Sequence, residues 1–174
     1  EIGAIIGATV TPDYFFPATA TLVQRRIGAV NAYGFDLSAA CSGFLYALST
    51  GTTLIESGHS KKVLVIGADK MSSIVDWTDR TTCILFGDAA GAVVLEETDE
   101  PGIIDFVHHS EGDEECVLYQ PAGGSMNPAT EETVNKKMHF IKQEGRAVFK
   151  KATEGMADVS LEIMDRNNLS SDDV

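Results

Sequence analysis

Positive charge is scarce in this chain: 13 Lys and Arg stand against 26 Asp and Glu, for a net charge of −13. That balance disfavours nucleic acid and anionic membranes as partners, since both are held by clustered cations. Cysteine is scarce as well, and Cys41, Cys83 and Cys116 are an odd count without paired spacing. They suggest neither a disulfide framework nor a zinc site, and they fit a reducing, cytoplasmic setting. His59, His108, His109 and His139 show no metal-ligand spacing. No apolar run reaches the ~18 residues needed to span a bilayer. The opening residues lack the charged, apolar and small-residue order of a signal peptide.

The chain does contain an ordinary globular composition, 44% hydrophobic and 22% charged, over 174 residues. That is enough for one good core. Ile2 to Ala8 reads as a central strand, and Lys62 to Gly67 as an aliphatic strand buried on both faces. Pro12 and Pro17 bracket a loop, Ala18 to Arg26 reads as a short helix, and Gly28 ends it. Ala89 to Leu95 and Ile103 to Val107 read as further strands, with Pro101 and Gly102 as a break between them. His108 and His109 continue that second run, where they would face opposite sides. A polar excursion from Glu111 to Thr133 encloses a short strand at Cys116 to Tyr119. Glu144 to Asn167 is the longest helix, with Val148, Phe149, Ala152, Met156, Val159 and Ile163 on one face. Alternating strands and helices argue for an α/β fold, a mixed sheet with helices on both faces.

Chemistry concentrates at Cys41. Asn31 to Leu37 reads as a buried strand, and the small residues Ser38, Ala39 and Ala40 permit a tight turn. A helix follows from about Ser42, with Phe44, Leu45, Leu48, Thr52 and Ile55 on one stripe and Gly58 as its stop. A thiol at a helix start faces unpaired amides and the positive end of the dipole, which favours thiolate and raises reactivity. On spacing alone, a free cysteine among alanines and glycines is more often a small buried hydrophobe.

The words around it reverse that preference. DLSAACSGF (36–44) resembles the nucleophile segment of the ketoacyl synthase III enzymes, condensing enzymes of the thiolase-like fold that start fatty-acid synthesis. DWTDRTT (76–82) is similar to that family's coenzyme A arginine loop. ILFGDAAGAVVLE (84–96) is similar to its glycine-rich turn before a core strand, and EGRAVFKKA (144–152) to the start of the helix flanking its substrate tunnel. The resemblance implies a partial thiolase-like fold with layered helices around mixed sheets of the five-stranded type. It makes residues 1–100 the remainder of the N-terminal half, carrying the nucleophile, and 101–174 the start of the C-terminal half. Under it the chain is an internal fragment covering about the middle half of a synthase, inactive in condensation by itself.

The resemblance makes Cys41 the acyl-accepting nucleophile, with a catalytic His and Asn expected beyond Val174. Arg80 takes the place of the arginine that meets the coenzyme A nucleotide; a surface salt bridge with Asp76 or Asp79 is the plainer reading. Trp77 is a weaker candidate for stacking on adenine. Phe86 matches a residue lining the acyl pocket and Phe149 a tunnel residue, although an apolar helix face is core by default. Gly145 and Arg146 open the helix that meets the pantetheine arm, and Arg146 replaces a frequent asparagine there. Phe16, in PDYFFPATA, stands where the family extends a phenylalanine across a homodimer into the partner's acyl pocket. In FGDAAGA, Gly87 and Gly91 permit close backbone approach and Asp88 braces the turn, while the spacing excludes a P-loop or dinucleotide fingerprint. The implied partners are an acyl-CoA primer and malonyl-acyl carrier protein, with no metal or redox cofactor. An acidic carrier protein needs a local basic patch, for which Lys136, Lys137, Lys142, Arg146, Lys150 and Lys151 are candidates. Rival readings are a thiolase-fold ketosynthase or acyltransferase of secondary metabolism, or a non-catalytic partner subunit. The presence of Cys41 speaks against the last.

Overall fold

The computed structural model describes residues 1–100, 102–112 and 116–174. These divide into two compact units, Glu1–Met71 with Asp88–Ile104, and Ser72–Gly87 with Asp105–Val174. The expected break at Pro101 lies outside the described residues.

The first unit is built on a mixed sheet. Its strands are β1 (Ala4–Ala8), β2 (Tyr33–Leu37), β3 (Lys62–Asp69) and β4 (Ala89–Glu96), in the order β2-β1-β3-β4. Among the described residues this sheet has four strands, as suits a partial sheet of the five-stranded type. β1 runs parallel to both β2 and β3, and β4 closes antiparallel against β3. Every residue of β1 is buried, because alternate side chains feed two cores on opposite faces of the sheet. Ala4, Ile6 and Ala8 join Val63, Val65 and Ala47 on one face. Ile5 joins Ala20, Ala32 and Ile66 on the other.

Two helices cover these faces, as the alternating pattern implied. Helix α1 (Thr19–Ile27) ends on Gly28, whose φ of 69° lets it turn the chain left-handed. Helix α2 (Gly43–Glu56) is followed by Gly58 at φ 75°, the expected stop. The stripe of α2 differs from the expected one. Gly43, Ala47 and Gly51 form its buried ridge, Phe44, Leu48, Leu54 and Ile55 flank it, and Leu45 is exposed. Small residues bring this helix close to the sheet. A β-carbon on Gly51 would lie 3.0 Å from Leu95, 3.2 Å from Val65 and 3.3 Å from Val63. β2 also differs from its reading as a buried strand: it is an edge strand with Tyr33 exposed and the rest half-buried.

The second unit contains the short pair β5 (Leu118–Tyr119) and β6 (Lys142–Gln143), α3 (Glu131–Asn135) and the long helix α4 (Gly145–Arg166). Thr130 caps α3 through a capping box with Thr133. Asn168, at φ 54°, follows the end of α4, as its asparagines suggested. The expected strand at Ile103 to Val107 does not form, and so His108 and His109 are not in a strand. Among the described residues no strand pairs with this run, and Asp105 within it is tied instead to Arg166 and Asn167 of the α4 end. α4 contributes no buried residue, so its apolar face is not core within the described chain, and Phe149 is 71% exposed. Among the described residues no helix is long and apolar enough to cross a membrane.

Candidate active site

β2 leads into the turn that carries Cys41, the candidate nucleophile. After Leu37 the chain enters a single turn of 3-10 helix, Ala40–Ser42, which runs directly into α2. The turn is strained: Ala40 has φ 45°, a left-handed conformation that a β-carbon disfavours by roughly 1–2 kcal/mol. Strain of this kind persists where surrounding structure enforces it, and it clusters at functional sites. Here the enforcement is visible. Thr9 N donates to Leu37 O at 3.2 Å, and a β-carbon on Gly43 would stand 3.2 Å from that of Ala8. Cys41 emerges from this turn as an exposed, free thiol, which removes the buried-hydrophobe reading.

Phe16 lies in the same unit, on the loop between β1 and α1. It is 86% exposed and its neighbour Phe15 is 89% exposed. Sequence inspection passed over Asp36, which sits on β2 shortly before Cys41. Its Oδ2 accepts from Thr19 N at 2.6 Å and its Oδ1 from Ala20 N at 2.8 Å, capping α1 from a neighbouring strand. An aspartate amid an apolar strand was the available signal.

The second unit gathers the other candidates. Asp76 accepts from Thr78 N at 2.9 Å and Thr78 Oγ1 at 2.6 Å. Asp79 does the same with Thr81, at 3.0 and 2.6 Å. The repeated Asp-x-Thr of DWTDRT is thus two consecutive side-chain-closed turns, and their middle residues Trp77 and Arg80 are both exposed. Neither Asp76 nor Asp79 forms a salt bridge with Arg80, because both carboxylates are engaged by these turns. The Lys137 ammonium braces the first turn, 2.9 Å from Asp76 Oδ2 and 2.9 Å from Thr78 Oγ1. The Thr78 hydroxyl, then Lys137 and the Thr78 amide, hold the Asp76 carboxyl far below the usual carboxylate range. The Thr81 hydroxyl and amide lower that of Asp79.

This loop lies beside the segment leading into α4. Ile141 N donates to Ile74 O at 2.8 Å and Gln143 Nε2 to Thr81 O at 2.7 Å. The structure thereby brings the Trp77–Arg80 turns and the exposed pair Gly145 and Arg146 into one neighbourhood. Lys137 and Gln143 were missed as braces because their partners are distant in sequence and no local pattern links them. Phe86 is half-buried in this unit. Gly87 and Gly91 do not serve close approach as expected, since an added β-carbon at either meets nothing within 4 Å. Both lie in exposed backbone around the start of the edge strand β4.

The histidines hold structural partners. His59 Nδ1 is 2.9 Å from Ser57 Oγ, His139 Nε2 is 2.9 Å from Thr133 Oγ1, and His109 pairs with Glu162 at 2.6 Å. His108 stacks on Phe106. Among the described residues no group of three or more His, Cys, Asp or Glu is placed to hold a metal ion.

Known proteins similar to this chain point to the same chemistry. Residues 35–112 match the family described as 3-Oxoacyl-[acyl-carrier-protein (ACP)] synthase III. A beta-ketoacyl-[acyl-carrier-protein] synthase III of Chlorobium phaeobacteroides is 59% identical over 177 residues, covering 100% of this chain and 54% of its own length. Along its whole length the chain is similar to proteins of that name. It is also similar to the solved synthase III of Thermus thermophilus, with TM-score 0.86, 36% identity, and coverage of 99% of this chain and 53% of that one. For the Pseudomonas aeruginosa enzyme the values are 0.87, 36%, 99% and 52%. The thiolase-like α/β architecture is thus shared with solved synthase III structures. This chain spans about half the length of the synthase III relatives it matches.

Proposed function

We propose that this chain is the nucleophile-bearing portion of an initiating condensing enzyme of type II fatty-acid synthesis. The observation that carries the reading is Cys41, an exposed thiol on a strained strand-to-helix turn inside the matched segment 35–112. Its thiolate attacks the thioester carbonyl of acyl-CoA, the coenzyme A thiolate leaves, and the acyl group rests on sulfur. Malonyl-acyl carrier protein then loses carbon dioxide to give an enolate. Carbon attack by the enolate on the acyl-cysteine yields a 3-oxoacyl-acyl carrier protein and returns the thiolate.

Arg80 and Trp77, displayed together by the tandem turns, suit the nucleotide end of coenzyme A, a guanidinium for phosphate and an indole for the base. Gly145 and Arg146 take the pantetheine arm. Phe86 and Phe149 shape the acyl channel, and Phe16 of a second copy enters it across a homodimer. No metal or redox cofactor takes part, and the histidine and asparagine for decarboxylation come from outside residues 1–174. Carrier-protein docking falls mainly to Lys142, Arg146 and Lys150. The other three candidates are paired within the chain, Lys136 with Glu132, Lys137 with Asp76 and Lys151 with Glu111. Residues 1–100 and 101–174 belong to the two thiolase-like halves, and the enzyme works in the reducing cytoplasm.

Incubation of the full-length protein with acetyl-CoA is expected to add one acetyl group to the wild type and none to Cys41→Ala, read by intact mass. A wild type left unmodified by acetyl, longer and branched donors overturns the reading. Acylation without later consumption of malonyl-acyl carrier protein would favour a non-condensing acyltransferase.

A further inference from the structure

The loop that carries Phe16 leaves β1 at Ala8 and enters α1 at Thr19, and both its ends are held by carboxylates on other strands. At its start, Asp69 Oδ1 at the end of β3 accepts from Thr9 Oγ1 at 3.1 Å, Val10 N at 2.8 Å and Thr11 Oγ1 at 2.9 Å. Thr11 Oγ1 in turn accepts from Lys70 N at 2.7 Å, so a single hydroxyl joins the loop to β3 twice. At its finish, Asp36 on β2 takes the first two amides of α1. The N-cap residue of α1 is Ala18, which has no side-chain oxygen to do this locally. A serine or aspartate at that position would cap the helix locally, through Ala20 N or Thr21 N, without connecting the loop to any strand. The space for the long-range cap is made at Gly7, where a β-carbon would lie 2.5 Å from Asp36 Oδ1.

The two carboxylates therefore bind the loop to the strands on either side of β1. Between them the loop holds Phe15 and Phe16 almost wholly in solvent, although free aromatic side chains gain by folding back on apolar surface. Asp36 also stands on the strand that delivers Cys41, so the loop end next to Phe16 and the thiol share one frame. We infer that Asp36 and Asp69 are positioning residues that place Phe16 and thereby set which acyl chains the enzyme accepts. The inference rests on the proposal above that Phe16 enters a partner's acyl channel.

The test uses the full-length protein and the ratio of kcat/KM for a short straight-chain acyl-CoA to that for a longer or branched one. Thr11→Val and Asp69→Asn should each shift this ratio about threefold to tenfold, and Thr11→Ser, which keeps the hydroxyl, should restore it. In a Phe16→Ala background the same substitutions should leave the ratio unchanged, because the residue they act through is gone. Asp36→Ala with Ala18→Ser should recover thermal stability through a local cap without recovering the wild-type ratio. A folded Thr11→Val or Asp69→Asn protein with wild-type selectivity, or an equal shift with and without Phe16, overturns the inference while leaving Cys41 acylation intact. A wild type that takes no acyl group from any donor overturns both readings.

Discussion

At the scale of single residues, hydroxyls and carboxylates do much of the shaping around the candidate site. Asp76 shows the consequence for pH dependence. Its folded carboxyl is held far below the ordinary value by Thr78 and Lys137, so below about pH 4 the unfolded chain binds a proton that the folded chain does not. The stabilisation is complete above about pH 4 and drains away as pH falls towards the depressed folded value. Asp76→Asn should be less stable at neutral pH and show a flatter stability curve below about pH 4, measured by urea unfolding across a pH series. An unchanged slope would mean that the Thr78 and Lys137 contacts to Asp76 do not operate in solution. Cys41 was legible at this scale because its neighbours form a recognisable word, whereas Lys137 was not. Asp76 and Lys137 are far apart in the chain, and nothing in either local sequence announces the other.

Among the elements, the contact of α2 with the sheet is the sharpest departure from what periodicity suggested. Apolar spacing picked out Phe44, Leu48 and Ile55, which do pack, but the ridge at the contact is Gly43, Ala47 and Gly51. Hydrophobicity scoring favours large side chains, while helix-to-sheet approach is limited by the smallest ones. Gly51→Leu should destabilise the protein by about 1–3 kcal/mol or more, because Leu95, Val65 and Val63 already stand at contact distance from an added β-carbon. Chemical denaturation would read this directly, and a neutral result would show that α2 sits further out. The strand expected at Ile103 to Val107 failed for a related reason. An apolar run becomes a strand only when another strand pairs with it, and here Asp105 is anchored to the end of α4 instead.

For the molecule as a whole, the exposed apolar surface is what calls for a partner. Tyr14, Phe15 and Phe16 cluster in solvent on a loop anchored at both ends, and such patches mark interfaces. The full-length protein should therefore sediment as a dimer, and Phe15→Ser with Phe16→Ser should raise the dimer dissociation constant by about tenfold or more. Analytical ultracentrifugation across a concentration series would detect it. A wild type that stays monomeric would remove the trans role proposed for Phe16. The net charge of −13 makes any carrier-protein contact depend on a local patch, and pairing inside the chain narrows that patch to the start of α4 and β6.

The main strands and helices of the first unit, the strand-to-helix turn at Cys41 and the resemblance to the synthase III enzymes were legible in the sequence alone, since each is written in contiguous residues: periodic apolar spacing, glycine stops and short motifs. Only the tertiary structure decided that Cys41 is exposed on a strained turn and that Phe16 hangs between two carboxylate anchors. It alone also showed that Trp77 and Arg80 share a braced pair of turns beside the start of α4. These features depend on hydrogen bonds between residues far apart in the chain, such as Thr11 with Asp69 or Asp76 with Lys137. Which distant groups meet is settled when the strands align and the helices pack, and no local pattern specifies it.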